Sequence, residues 1–370
     1  MKKKVKKEVG RATRKRAKVA KKGAQDKVSK IPVAQPPPIR EFHLFAGIGG
    51  GIYGGELLHH RCCGGVEIMP YAQSVLKQRQ KDGWMPEFPI YGDLCELNGN
   101  QFRGMFDVLC GGFPCQAFSS AAHGKNILEK NLWNEMFRFV KESDAPIVFG
   151  ENVVLRAIRK AKEDLESVGY RVQIVRLSNA DLGADHQRYR FWLLAVKDEE
   201  VFEKVSRDIL AMKKLNGGCW VEDPQRVAGS VEDNEAHRSE QLLGVGNAQS
   251  PLVAATAFRI LVNRHLDSTS FQGVVASRDE IAKVFEVQKT WIKNRFGDDF
   301  GLIHTPTTVA NYCCASMQKH PSCRNYIRVF CSKVRRPSPI HAEYLMGFPI
   351  GASSRNPQTV DNVIRWRAYQ

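Results

Sequence analysis

From Glu41 to Val196 the chain alternates short apolar runs with stretches of helical spacing, and that alternation leaves few folds open. Phe42–Phe45, Gly65–Ile68, Val108–Leu109, Ile147–Phe149, Arg171–Arg176 and Phe191–Val196 read as strands. Tyr71–Gln80, Asn131–Lys141 and Ala157–Val168 carry the apolar repeat of intervening helices. Strands separated by helices pair in parallel, and a parallel sheet must be covered on both faces. The expectation is an α/β domain of three layers, helix on sheet on helix. Phe202–Leu215 adds an amphipathic helix with no evident chemistry, and Leu252–Leu261 reads as an ordinary core helix.

The connections in this pattern hold the residues suited to chemistry. His43-Leu44-Phe45-Ala46-Gly47-Ile48-Gly49-Gly50 runs from the first strand into a helix over Ile52–Leu58, and its glycines let the backbone approach a ligand. Such a loop suits NAD or FAD as well as other nucleotide-like groups. Glu67 ends the second strand pattern, where a carboxylate can accept both hydroxyls of a ribose. Asp93, in Tyr91-Gly92-Asp93-Leu94, is read either as a cofactor contact or as the cap of the next helix.

Gly111-Gly112-Phe113-Pro114-Cys115-Gln116 sets a cysteine behind a proline, and Glu151-Asn152-Val153 ends the following strand. A thiolate can serve as nucleophile and a carboxylate can handle a proton, an arrangement for covalent chemistry. Alone, Cys115 would read as an inert buried thiol. Arg188 and Arg190 are spaced to share one face of a strand, with Tyr189 and Phe191 turned away. They read either as a pocket pair or as a solvated strand face.

In chain order these segments resemble the motifs of the DNA cytosine-C5 methyltransferases. The Pro-Cys-Gln at Cys115 and the Glu-Asn-Val at Glu151 select that family, and the glycine loop alone does not. The resemblance extends to Asp185-His186-Gln187-Arg188-Tyr189-Arg190 and to Leu243-Gly244-Val245-Gly246-Asn247-Ala248. It implies a Rossmann-like domain binding S-adenosyl-L-methionine. The implied contacts are Phe45, Ala46, Gly47, Gly49 and Gly50 in the first loop, and Glu67 with Ile68 after the second strand. Asp93, Leu94, Pro114 and Asn247 complete them.

The resemblance further implies that Cys115 attacks C6 of cytosine, while Glu151 hydrogen-bonds or protonates N3. Arg190 would contact the base edge, with Arg188 in the same pocket. Gln116, Ser119, Ser120 and Asn152 would belong to the loop closing on the substrate. That substrate would be double-stranded DNA with its target base flipped out, at a cost of about a few kcal/mol. Two other readings stay open: an RNA cytosine-C5 enzyme, or a catalytically silent DNA-binding protein of the same fold. The Thr-Cys and Cys-Phe-Thr segments of RNA-directed enzymes are absent from the sequence, and a pure binder has no use for a thiol beside a carboxylate.

Two departures stand against the family pattern. His43 occupies a position where Asp is usual. A segment resembling the family's Arg…Glu…Gly-Phe-Pro motif, Arg336 through Glu343 to Gly347-Phe348-Pro349, follows the Gly-Asn-Ala segment instead of preceding it. The C-terminal end therefore looks permuted. The expected organisation is a basic tail and Pro-rich linker over 1–40, a catalytic domain over 41–264 and a smaller target-recognition domain over 265–370.

Charge and cysteine usage bound the setting. Residues 1–30 hold fourteen Lys or Arg against Glu8 and Asp26, so +12 of the net +16 belongs to the tail and +4 to the rest. Its composition predicts disorder when free, and it suits non-specific phosphate binding or nuclear import. Ten scattered cysteines and the lack of an apolar run of membrane length predict free thiols in a soluble intracellular protein. The compartment would be the cytoplasm for a bacterial or phage protein and the nucleus for a eukaryotic or nuclear-virus one. A monomer is expected.

No metal is expected, because Cys313, Cys314, Cys323 and Cys331, near His320 and His341, lack a paired Cys-x-x-Cys spacing. Ser277–Phe296 has the spacing of a helix–turn–helix or, with no glycine at its turn, of a plain helical pair. In the former, Lys289, Thr290, Lys293 and Asn294 would face DNA.

Overall fold

Strand β1 (Arg40–Leu44) is buried from Glu41 onward, and its alternate residues face two different layers. Phe42 and Leu44 enter one core, where Phe42 stacks on Phe139 with ring centroids 5.8 Å apart. Glu41 and His43 point to the opposite layer and line a cavity there. The structure, a computed structural model, describes residues 37–114, 132–184, 187–216, 237–267, 273–286, 343, 346–349 and 351–368.

The sheet adds β2 (Arg61–Val66), β3 (Ile90–Tyr91), β4 (Val108–Gly112), β5 (Ile147–Asn152), β6 (Arg171–Ser178) and β7 (Tyr189–Val196). Its order is β3-β2-β1-β4-β5-β7-β6. Strands β1 to β5 pair in parallel, and β7 runs antiparallel between β5 and β6. On one face lie α1 (Gly50–Leu57) and α2 (Pro70–Lys81), and on the other α3 (Trp133–Ser143) and α4 (Leu155–Ser167). The first face also holds α5 (Glu199–Ala211), α6 (Arg238–Asn247), α7 (Pro251–Leu266) and α8 (Arg278–Val284). The three-layer α/β expectation holds.

Five of the six strand readings agree in position. Gly65–Ile68 is displaced, since β2 ends at Val66 and leaves Glu67 and Ile68 beyond it. The helix expected over Phe202–Leu215 ends at Ala211, with Leu215 in a strand. Strand β3 was not foreseen, because two residues carry no periodicity. Helix α7 runs five residues past its expected end, to Leu266, and is apolar nearly all round because the sheet and neighbouring helices enclose it. Ser277 caps α8, accepting from the Glu280 amide at 3.3 Å. At Phe285–Glu286, where a turn between two helices was expected, the chain forms β9, paired in parallel with β8 (Leu215–Asn216). The expected second helix, with Lys289, Thr290, Lys293 and Asn294, lies outside the described residues.

Part of the C-terminal region packs on the first face. Helix α9 (Val360–Ala368) buries Val363 and Trp366, and Tyr53 of α1 meets Trp366 edge-on with centroids 5.6 Å apart. Glu343 is buried and accepts from the amides of Gly351 and Ser353, each at 2.7 Å. The fully buried Arg79 of α2 donates to the carbonyls of Gly351 and Asn356 at 2.6 and 2.5 Å. The described residues from Pro38 onward group as one compact unit.

Candidate active site

In an open parallel sheet, ligands bind beyond the carboxyl ends of the strands, where the strand order switches direction. Here that point lies between β1 and β4. The loop leaving β1 supplies Phe45 to Gly49, and the loop leaving β4 supplies Phe113 and Pro114. Because β7 is antiparallel, its first residues arrive at this same edge. The register pairs Gly112 with Glu151 across β4 and β5, and Glu151 with Trp192 across β5 and β7.

Glu151 is 7% exposed, and Arg190 Nε lies 3.1 Å from its Oε1. That approach has ion-pair distance without hydrogen-bond direction, so Oε1 has no hydrogen-bond partner among the described residues. The side-chain amide of Gln249 lies on the Oε2 side of the same carboxyl. Burial pushes the Glu151 carboxyl above the usual range, against the opposing pull of Arg190, Arg188 and Gln249. Burial and the neighbouring Arg190 bring Arg188 down to about 10. Arg188 spends its guanidinium on the carbonyls of Gly246 and Ala248, at 2.7 and 2.9 Å. It thereby ties the start of β7 to the end of α6.

Asn152 uses both ends of its amide on the main chain. It donates to Phe113 O at 2.8 Å and accepts from Val154 N at 2.9 Å, which laces β5 to the loop after β4. Phe113 packs on Trp133 beneath that loop, with centroids 4.9 Å apart. Pro114 is the last described residue there; Cys115, Gln116, Ser119 and Ser120 lie outside the described residues.

Glu67 draws the glycine loop together. Its Oε2 accepts from Gly47 N at 2.7 Å and its Oε1 from Met69 N at 2.8 Å. Ile68 beside it is 63% exposed, an apolar side chain left open at the strand end. Gly47 has open space where a side chain would start, whereas Gly50 packs against the main chain of Gln249. Phe45 and Ala46 pack against the cores on the two faces. Asp93 caps the short helical turn Leu94–Glu96 through Cys95 N at 2.9 Å, and Leu94 is buried in the core. Asn247 is exposed at the end of α6.

Two features escaped sequence reasoning. Gln249 was visible only as a member of the Gly-Asn-Ala segment, with nothing to mark its reach to Glu151. The second is a buried polar row beneath α1. His43 Nε2 lies 2.9 Å from Glu41 Oε2, and His60 Nδ1 2.7 Å from Glu41 Oε1. Burial alone would raise the Glu41 carboxyl, but His60 and His43 hold it down to about 2. Glu41, His43 and Cys110 bring their donor atoms within 4.8 Å of one another, and the Glu41–His43 hydrogen bond satisfies two of them without an ion. Cys62, Cys63, Cys95 and Cys110 are free thiols. The other cysteines weighed for a metal, and the two histidines near them, lie outside the described residues.

Residues 39–350 match the family model of the C-5 cytosine-specific DNA methylase. The chain belongs to that family. Among its relatives is the type II methyltransferase M.MspI of Moraxella sp, 28% identical over 182 residues, or 45% of this chain and 42% of that protein. M.CviJI of Paramecium bursaria Chlorella virus IL3A is 28% identical over 180 residues, 47% of each chain. M.NgoMIV of Neisseria gonorrhoeae is 33% identical over 167 residues, covering 42% of this chain and 51% of that one. The chain thus spans about half the length of the curated methylases it matches. A solved structure of a mutant of Spodoptera frugiperda DNMT2 aligns at a TM-score of 0.37 and 19% identity, over 43% of this chain and 50% of that one. No helix among the described residues is long and apolar enough to cross a membrane.

Proposed function

We propose that this methylase-family chain transfers a methyl group from S-adenosyl-L-methionine to C5 of a flipped-out cytosine in double-stranded DNA, through a covalent adduct of Cys115 with C6. The observation that carries the reading is the buried Glu151 with Arg190 beside it, one strand away from the loop that leads into Cys115. C5 of cytosine is a weak nucleophile. Addition of the Cys115 thiolate to C6 breaks the aromatic system and makes C5 enamine-like. Negative charge then develops at N3, and a protonated Glu151 offsets it by hydrogen bonding or proton donation. Burial favours that protonated form. Arg190, fixed between the strand and Glu151, is suited to the base edge. After methylation, loss of the C5 proton and elimination of the thiol release 5-methylcytosine.

The carboxyl ends of β1 and β2 fit the cofactor. Each Glu67 oxygen keeps a lone pair for a ribose hydroxyl after accepting one backbone amide, and the exposed Ile68 offers an apolar surface to an adenine ring. S-adenosyl-L-methionine supplies an electrophilic methyl when bound. Target recognition is assigned to residues 265–370, and the basic tail adds sequence-independent affinity for phosphates.

The test is transfer of labelled methyl to unmethylated DNA, with Cys115→Ser and an RNA substrate in parallel. Label on DNA that vanishes in Cys115→Ser is the expected result. Label on RNA alone would replace the substrate class. Cofactor binding without transfer would make the chain a silent DNA-binding protein.

A further inference from the structure

Gln249 occupies a space that three glycines on two elements leave open. A methyl on Gly51 would sit 2.6 Å from its side-chain oxygen, a methyl on Gly112 would sit 3.0 Å from its side-chain nitrogen, and one on Gly50 would collide with its main chain. The same point at Gly112 is 2.9 Å from Glu151 Oε2, which puts the Gln249 nitrogen on the Oε2 side of the carboxyl. The amide is thereby clamped between α1 and β4, with its nitrogen toward Glu151 and its oxygen toward Gly51 and His43. Oε1, the other carboxyl oxygen, is buried with Arg190 Nε 3.1 Å away and has no hydrogen bond among the described residues.

We propose that Gln249 is a positioning residue for Glu151: its amide, seated between α1 and β4, backs the carboxyl on its Oε2 side while Arg190 stands at Oε1, and so fixes how the acid is presented to the substrate. The inference rests on Glu151 acting as the acid in the reaction above. Because the main chain of Gln249 also packs on Gly50, the residue links the orientation of the acid to the glycine loop. The charged groups facing Glu151 are Arg188 and Arg190 from the start of β7; β4 contributes Gly112, and His43 of β1 lies beyond Gln249.

The experiment measures methyl transfer by the full chain across pH for wild type, Gln249→Met and Gln249→Glu. Gln249→Met removes a donor that favours the carboxylate, so the alkaline limb of the rate profile should move to higher pH. The turnover number should fall on the order of ten- to a hundredfold, with little change in KM for S-adenosyl-L-methionine. Gln249→Glu, nearly the same shape, sets a carboxylate beside Glu151 and should move the limb further in the same direction. If thermal melts show both variants folded and neither limb moves, Gln249 only fills space and the proposal fails. If Gln249→Met does not fold, the limb of Gln249→Glu decides by the same criterion. A wild type that transfers no methyl overturns the reaction itself; a transferring wild type with unmoved variants overturns the role of Gln249 alone.

Discussion

Gly50 is a residue whose replacement should behave against type. In a helix, Gly→Ala is ordinarily favourable by about 0.5–1 kcal/mol, since alanine has less backbone freedom to lose. Here the new methyl would meet the carbonyl and amide of Gln249, atoms that cannot rotate away. Gly50→Ala should therefore destabilise by about 1–3 kcal/mol, read from the urea midpoint. A stabilised variant would mean that α7 and α1 can separate freely.

Glu41 makes a second case. Its two imidazole partners are themselves buried, so Glu41→Ala leaves them without their carboxylate and should cost about 3–5 kcal/mol. The pH dependence follows from the depressed carboxyl. Its contribution is present above the usual 4.5 and is lost as pH falls through about 2. A wild-type melting temperature insensitive to pH across that window would contradict the pairing.

Among the elements, α7 shows what sequence pattern reveals and what it hides. An apolar run from Leu252 was legible as a core helix, because burial on every side demands it. Its last turn was not, since Arg264 and His265 look like a solvated end. In the fold Arg264 pairs with Glu280 of α8, and His265 donates to Leu194 O at 2.8 Å. Burial brings His265 down to about 4. Its neutral form is held in the folded state, so stability is full above 6.5 and falls as pH drops toward 4, by about 3 kcal/mol in all. His265→Gln should flatten thermal melts over that window and leave the more acidic limb of Glu41 in place.

The site divides along the same line. Glu151 and Arg190 were reached through the resemblance to the family's motifs, and the glycine loop through turn residues that mark a ligand-approaching backbone without naming the ligand. Gln249 was not legible, because its contacts depend on Gly51 and Gly112, which lie far apart in the chain and meet only once the sheet has formed. Phe285–Glu286 erred for a related reason. A two-residue strand exists only through its partner Leu215–Asn216, and no local pattern announces it.

At the scale of the whole molecule, the charge separates into a strongly basic segment and a nearly neutral remainder. Removing residues 1–36 should leave the thermal midpoint of the remaining chain unchanged. DNA affinity should fall, and the dependence of its logarithm on log salt should become shallower by about 0.9 for each phosphate that the tail had neutralised. An unchanged slope would show that the tail takes no part in binding.

The docking of the C-terminal region has one more consequence. Arg79, Trp84 and Tyr71 reach the carbonyls of Gly351, Asn356, Thr359 and Ser353, and in return Arg367 reaches that of Trp84. Every amino acid offers a carbonyl. A latch that grips the main chain is blind to most substitutions along 354–359, so that stretch is free to drift between relatives while the attachment persists. Gly351, at positive φ, and the buried Ala352 and Ser353 are not free in this way. The selective constraint falls on the gripping side chains, and a comparison of relatives should find Arg79 and Trp84 held while 354–359 varies.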